Sequence, residues 1–308
     1  MKLAVLLTAV CLLALQAHAA TYYVIVAGLG GEPDYEQRFT SAAKDLDRIF
    51  QSTGPTAHVF TLKGPQATAE QFRETMSTIA TEAKDSDDFA LVLIGHGTFD
   101  GVEYKFNLAG PDLTAVEIAA MCDRIPSRRQ LIVNTTSASG GAVQALEKPG
   151  RAVIAATKSG TEKNATVFVR YWIDALQDPA VDTDKSESVS AIEAFRYATQ
   201  KTAAFYDAEK RLATEHAVFN DVGRGEPVRE TGNGQGMLLS SFTLLRLGAS
   251  QLAANDPAKR ALLDRKEELE QKIDILKYQK PTMDPTDYKK QLTDALVELA
   301  RVQVKLDQ

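Results

Sequence analysis

Cysteine is nearly absent from this chain: two in 308 residues, with one tryptophan and four histidines. Cys11 lies in an apolar stretch at the start. Cys122 is then left without an intramolecular disulfide partner, so the fold must rest on its core. Cys122 falls in Ala115–Asp123, an amphipathic helical pattern, and reads as a small buried hydrophobe. Basic excess is absent too. The formal charge is −6, and no basic patch with interleaved aromatics appears, which argues against nucleic acid or an anionic membrane surface as partner. His58 and His216 have no metal-ligating neighbour at helical or loop spacing, so no metal site is expected. Asn220–Glu226 offers oxygen ligands, but Arg224 intrudes where a calcium loop needs an acid, and the stretch reads as a solvated turn. Gly28-Leu29-Gly30-Gly31 lacks the lysine and the spacing of a phosphate-binding or dinucleotide loop, and no cofactor is expected.

Long apolar runs are missing after the first residues. Met1–Ala19 has the form of a cleavable leader: Lys2, an apolar centre over Leu3–Leu15, and the small-x-small end Ala17-His18-Ala19. The apolar centre is short for a bilayer span. The expectation is an exported protein, secreted or periplasmic, with no membrane span in the mature chain.

What is present is alternation. Strands are expected at Tyr22–Ala27, Ala57–Leu62, before His96, before Ser137 and at Ala152–Ala156. Helices are expected at Asp34–Phe50, Thr68–Lys84, Ala115–Asp123, Val167–Leu176 and, as one long element, Ser188–Leu212. Strands alternating with helices imply right-handed βαβ units and a mostly parallel sheet. Val218–Gln235 reads as an exposed, turn-rich segment, and Met237–Leu247 as a last core element. From about 251 the composition changes. Leu262, Leu269, Ile273 and Leu276, then Leu292, Leu296, Leu299 and Leu306 beyond Pro281 and Pro285, recur at helical steps among charges. This predicts an antiparallel helical hairpin over 251–308, following an α/β domain over 20–250. Its apolar seam can pack on its own domain, or its charged flanks can mark an oligomer or partner interface.

The chemistry concentrates in two stretches, Asp87–Gly101 and Arg129–Ala142. Each is a short apolar run that stops in small and polar residues, the mark of a buried parallel strand. Ligands in open α/β sheets bind beyond the carboxyl ends of such strands. His96 stands at one tip, and Thr135, Thr136, Ser137 and Ser139 at another. A hydroxyl and an imidazole at one sheet edge can serve nucleophilic catalysis.

A strand ending in Gly95-His96-Gly97, a helix, then a strand ending in Ser137-Ala138-Ser139-Gly140 resembles the caspase–legumain–metacaspase group of cysteine peptidases, over roughly Tyr22–Leu176. Ser137 stands where that family carries its nucleophilic Cys. The resemblance implies a caspase-like three-layer α/β/α fold with His96 as base and the N–H groups of Gly97 and Ser137 as oxyanion donors. It also implies a substrate pocket formed by Thr157, Ser159 and Glu162 from the run Ala152–Asn164. A serine hydroxyl is far less acidic than a thiol, with its ordinary pKa of ~8.5, and needs a base held by a third group. Asp87, Asp88, Asp100 and Glu103 are the candidates nearby in sequence. Two functions stand. One is a hydrolase acting through Ser137 and His96. The other, favoured by the change from Cys to Ser, is a degenerate relative that binds a protein or peptide through its cleft or hairpin.

Overall fold

In the computed structural model, residues 19–232 and 234–308 are described. All of the expected leader except Ala19 lies outside them. Six strands form the central sheet: β1 (Thr21–Ala27), β2 (Ala57–Leu62), β3 (Asp88–Ile94), β4 (Arg129–Asn134), β5 (Arg151–Ala155) and β6 (Val218–Asn220). Their order is β6-β5-β4-β3-β1-β2. The first five run parallel and β6 is antiparallel to β5.

The layers follow from side-chain alternation along each strand. In β1, Tyr23, Ile25 and Ala27 enter one apolar core, while Tyr22, Val24 and Val26 enter the other. Helices α1 (Pro33–Gln51), α4 (Phe168–Gln177) and α5 (Ala191–Ala208) cover the first face. Helices α2 (Ala69–Glu82) and α3 (Ala115–Asp123) cover the second. The result is the expected three-layer α/β/α architecture around a mostly parallel sheet. Cys122 is fully buried in the second core, as its helical setting implied.

Local signals set the boundaries. Thr68 accepts the Gln71 N–H and caps α2, while Thr114 with Glu117 and Ser190 with Glu193 form capping boxes at α3 and α5. The last of these corrects the single helix expected over Ser188–Leu212. Ser188–Ser190 is instead a short strand paired with Thr243–Arg246, and α5 begins only after the Ser190 cap. The helix stops at Ala208, and Lys210 then takes a left-handed φ of 52°. Val218–Gln235 is corrected as well. Its first three residues are the buried sheet strand β6, and its free side is bridged by Val228. Three residues are too few to show a period.

Beyond Asn255, α6 (Pro257–Gln279) and α7 (Pro285–Leu306) form the expected hairpin. Its buried stripe on α6 is Leu263, Lys266, Leu269, Ile273 and Leu276, so Leu263 rather than Leu262 faces inward. On α7 the stripe runs through Ala295 and Val302, leaving Leu296 47% exposed rather than in the seam. The hairpin lies across the amino ends of the strands. Glu267 accepts from Arg246, Lys266 donates to the Ser186 carbonyl, and Tyr278 donates to the Gln235 carbonyl. A cavity of about 380 Å³ there is bounded by Thr21, Asp88 and Arg129 from the strand starts and by Glu267 and Gln271 from α6. No helix among the described residues is long and apolar enough to cross a membrane.

Candidate functional site

The chain turns from β1 outward to β2, then returns past β1 to lay down β3, β4 and β5 on the other side. This reversal leaves a crevice beyond the carboxyl ends of β1 and β3, the usual ligand position in open α/β sheets. Gly28–Gly31 follow β1 and His96 follows β3, so both border the crevice. Gly95, with φ +141°, sits 3.4 Å from the Gly28 nitrogen, measured from where its Cβ would be. The turn that delivers His96 therefore needs glycine.

His96 is half-buried. Its ring meets those of Tyr35 and Phe39 on α1 edge-on, with centroids 4.7 and 5.1 Å away, and it faces the Gly30 backbone. Burial lowers its pKa, and the Arg38 charge adds to this against the opposing effects of the Gly30 backbone and Glu32.

Ser137 is buried at the tip of β4. Its Oγ donates to the Gly97 carbonyl and accepts the Gly97 N–H, each at 3.1 Å. The hydroxyl and one of its expected oxyanion donors thus hold each other. Among the described residues no hydrogen bond joins His96 to Ser137. Gly97 has no room for a side chain, since a Cβ would lie 2.5 Å from the Ser137 carbonyl oxygen and from the Tyr104 ring. Behind it, Tyr104 bonds Thr136 at 2.6 Å and Asn134 at 3.4 Å, and burial pushes its pKa up to about 12. Ala138 follows in the left-handed region at φ 55°, a costly position for alanine.

The expected pocket residues come to this turn but knit it shut. Thr157 accepts the Gly140 N–H at 2.8 Å and pairs with Ser139 Oγ at 3.2 Å. Its own hydroxyl donates to the Ser159 carbonyl. Ser159 Oγ pairs with Thr161. The Glu162 carbonyl accepts the Ala138 N–H, and the Glu162 carboxylate holds His216 through the Nδ1 atom and the backbone N–H. Strands Gly97–Phe99 and Tyr104–Phe106 form a hairpin over the site. Phe99 at its tip packs on Gly160 and Gly141, where added Cβ atoms would lie 2.2 and 2.8 Å from its ring.

The candidate third groups lie elsewhere. Asp88 pairs with Arg129 at the amino ends of β3 and β4, and Asp87 caps Ala20 and Lys84 there. Asp100 holds its own turn, and Glu103 faces Lys105. Sequence reading missed the Glu162–His216 pair, whose members are 54 residues apart. It also missed Tyr35 and Phe39 as neighbours of His96. The one available signal was their place on the inward stripe of α1. Asp182, Asp184 and Glu193 bring carboxylate oxygens within 4.8 Å of one another. These carboxylates are engaged with backbone N–H groups of the same loop and with the α5 cap.

No family model and no curated protein matches the sequence. Solved structures similar to the chain include the Drosophila initiator caspase Dronc, at 11% identity and TM-score 0.46, over 72% of this chain and 84% of that one. A Geobacter sulfurreducens protein is similar at 12% identity and TM-score 0.48, over 75% and 99%. Caspase-1 from Spodoptera frugiperda is similar at 10% identity and TM-score 0.45, over 70% and 92%.

Proposed function

We propose that this is an exported, peptidase-like protein of the caspase-like type whose serine site is degenerate and which works by binding a protein or peptide. The observation that carries this reading is the reciprocal bond between Ser137 Oγ and the Gly97 backbone. A nucleophilic hydroxyl must hand its proton to a base as it attacks, and that base must be oriented. Here the proton goes to a carbonyl, and the imidazole is engaged with α1 and Gly30. The Phe99 ring packs on Gly141 and Gly160 beside the turn, and the hydroxyls of Thr157 and Ser159 are bonded within their own loop and to the Ser139–Gly140 turn. The binding alternative therefore has more support than hydrolysis through Ser137 and His96.

The test is exposure to a serine-reactive fluorophosphonate, with Ser137→Ala alongside. No covalent adduct on the parent chain is expected. An adduct that disappears in the variant would establish a hydrolytic site and overturn the reading. A second arm uses Ser137→Cys and iodoacetamide. The thiol should titrate at or above the ordinary ~8.5, because no imidazole is bonded to it. A thiolate formed well below that value would place His96 against the nucleophile.

A further inference from the structure

A groove of about 900 Å³ opens beside the His96 crevice, between α1 and α4, and extends to the segment after α5. Three guanidinium groups line it, each from a different segment: Arg38 on α1, Arg170 on α4, and Arg211 past the end of α5. None of the three has a carboxylate partner among the described residues. Two stand over rings of their own helices. Arg38 stands 5.3 Å above Tyr35, and Arg170 stands 5.4 Å above Tyr171. Such stacking orders the fork while leaving its N–H donors free. Two carboxylates also line the groove. Asp45 is already bonded to Arg48 at 2.8 Å, which leaves Asp174 as the one carboxylate set against three cations.

The rest of the lining mixes apolar and aromatic side chains, among them Val169, Ile173 and Phe205, with the neutral polar Gln37, Ser41, Asn164 and Thr214. Its wall is fixed from behind. The buried Glu215 accepts the N–H groups of Val167 and Phe168 and the Tyr206 hydroxyl. A cationic groove in a chain of net charge −6 is a local reversal of sign. Cations on three separate segments, with apolar walls between them, suit an extended ligand with several spaced anions and an apolar anchor.

We infer that this groove docks an acidic segment of a partner protein, anchored by an aromatic or aliphatic side chain. The inference rests on the binding reading above, and it places the docking surface between α1 and α4 rather than at Ser137. Electrostatic steering would bring the segment in, and the apolar walls would hold it.

The test is fluorescence anisotropy of the full chain with a fluorescein-labelled peptide of alternating glutamate and leucine bearing one phenylalanine. The same peptide with lysine for glutamate, and a single-stranded DNA of equal charge, serve as comparisons. Binding of the glutamate peptide alone is expected, weakening with salt and falling about tenfold or more in the Arg38→Gln, Arg211→Gln double variant. All three arginines are exposed, so these changes leave the core intact. The Arg128→Gln variant, which alters an exposed arginine paired with Asp85, should bind as the parent does. Absence of peptide binding, equal binding of the lysine peptide or the DNA, or unchanged affinity in the double variant would each overturn the inference. Fluorophosphonate labelling of the same samples separates the two claims. Labelling at Ser137 removes the non-catalytic reading and leaves the groove standing. Failed peptide binding without labelling does the reverse.

Discussion

Removing the link between the C-terminal hairpin and the sheet should destabilise the whole α/β domain. Arg246 Nε and Nη2 donate to Glu267 Oε1 and Oε2 at 2.7 and 3.0 Å. The two side chains are 27% and 19% exposed, so water screens the pair only partly. Each charge-assisted bond is worth about 1.5–3 kcal/mol. Losing both, with the guanidinium left unpaired, places Glu267→Ala at about 3 kcal/mol. Arg246→Met should cost a similar amount, and the double variant should cost less than the sum, leaving a coupling of about 2 kcal/mol. Urea unfolding followed by Trp172 fluorescence is the assay. Trp172 is the chain's one tryptophan, and it lies fully buried in the core between the sheet and α4. It therefore reports the domain and not the hairpin. If both single variants leave the Trp172 transition where it was, the hairpin is not part of the cooperative unit and the reasoning fails. A coupling near zero would show that the pair forms without contributing.

Three more outcomes are expected. Burial, with the neighbouring Glu267, Asp184 and Asp274, pushes Glu270 up to about 7 against the opposing pull of Lys266. The folded chain then keeps a proton that the unfolded chain releases above about 4.3, so stability should fall as pH rises from there to about 7 and level off beyond. Glu270→Gln should remove that fall and gain about 1–2 kcal/mol at alkaline pH after screening, read from urea midpoints across the range; a variant whose stability falls in parallel with the parent's contradicts this. Gly97→Ala should cost about 1–3 kcal/mol by overpacking against Ser137 and Tyr104, measured as a lowered melting temperature, and a neutral result would mean the turn can give way. Cys122, which burial pushes up to about 12, should resist an aromatic disulfide reagent in the native chain and react fully in urea; rapid native reaction would show that α3 opens.

The buried strands β1, β3, β4 and β5 were legible because each is a mostly apolar run that stops in glycine or small polar residues, and because α1 repeats Phe39, Ala42, Ala43, Leu46 and Phe50 at helical spacing. All five of those residues are buried. Residues 218–220 were not legible, because a strand of three has no period and its antiparallel register with β5 is a tertiary choice. The start of α5 was displaced because Ser188–Ser190 is polar, and only its pairing with Thr243–Arg246 makes it a strand. At the site, the local motifs placed His96 and Ser137 at neighbouring strand tips, as the register of β3 and β4 has them. What each side chain bonds to depended on distant partners: Tyr35 for His96, Gly97 for Ser137, and His216 for Glu162. Binary pattern fixes which face a residue occupies, and it carries no information on which of several neighbours takes its proton. In the hairpin Leu269, Ile273 and Leu276 face inward as expected, but Leu263 and Ala295 hold the places given to Leu262 and Leu296, and the seam is interrupted by Lys266, whose buried amine is satisfied by the Ser186 carbonyl.

The hairpin and the serine turn sit at opposite ends of the same strands. Strands β3 and β4 have seven and six residues, which at about 3.3 Å per residue sets the two ends about 20 Å apart. Between them lies close-packed sheet with both faces covered, and such material is hard to compress and transmits strain. Whatever passes between the two ends therefore travels along whole strands. A change in α6 or α7 would reach the crevice, and a ligand beside His96 would reach the hairpin, to the extent that it displaces a strand bodily.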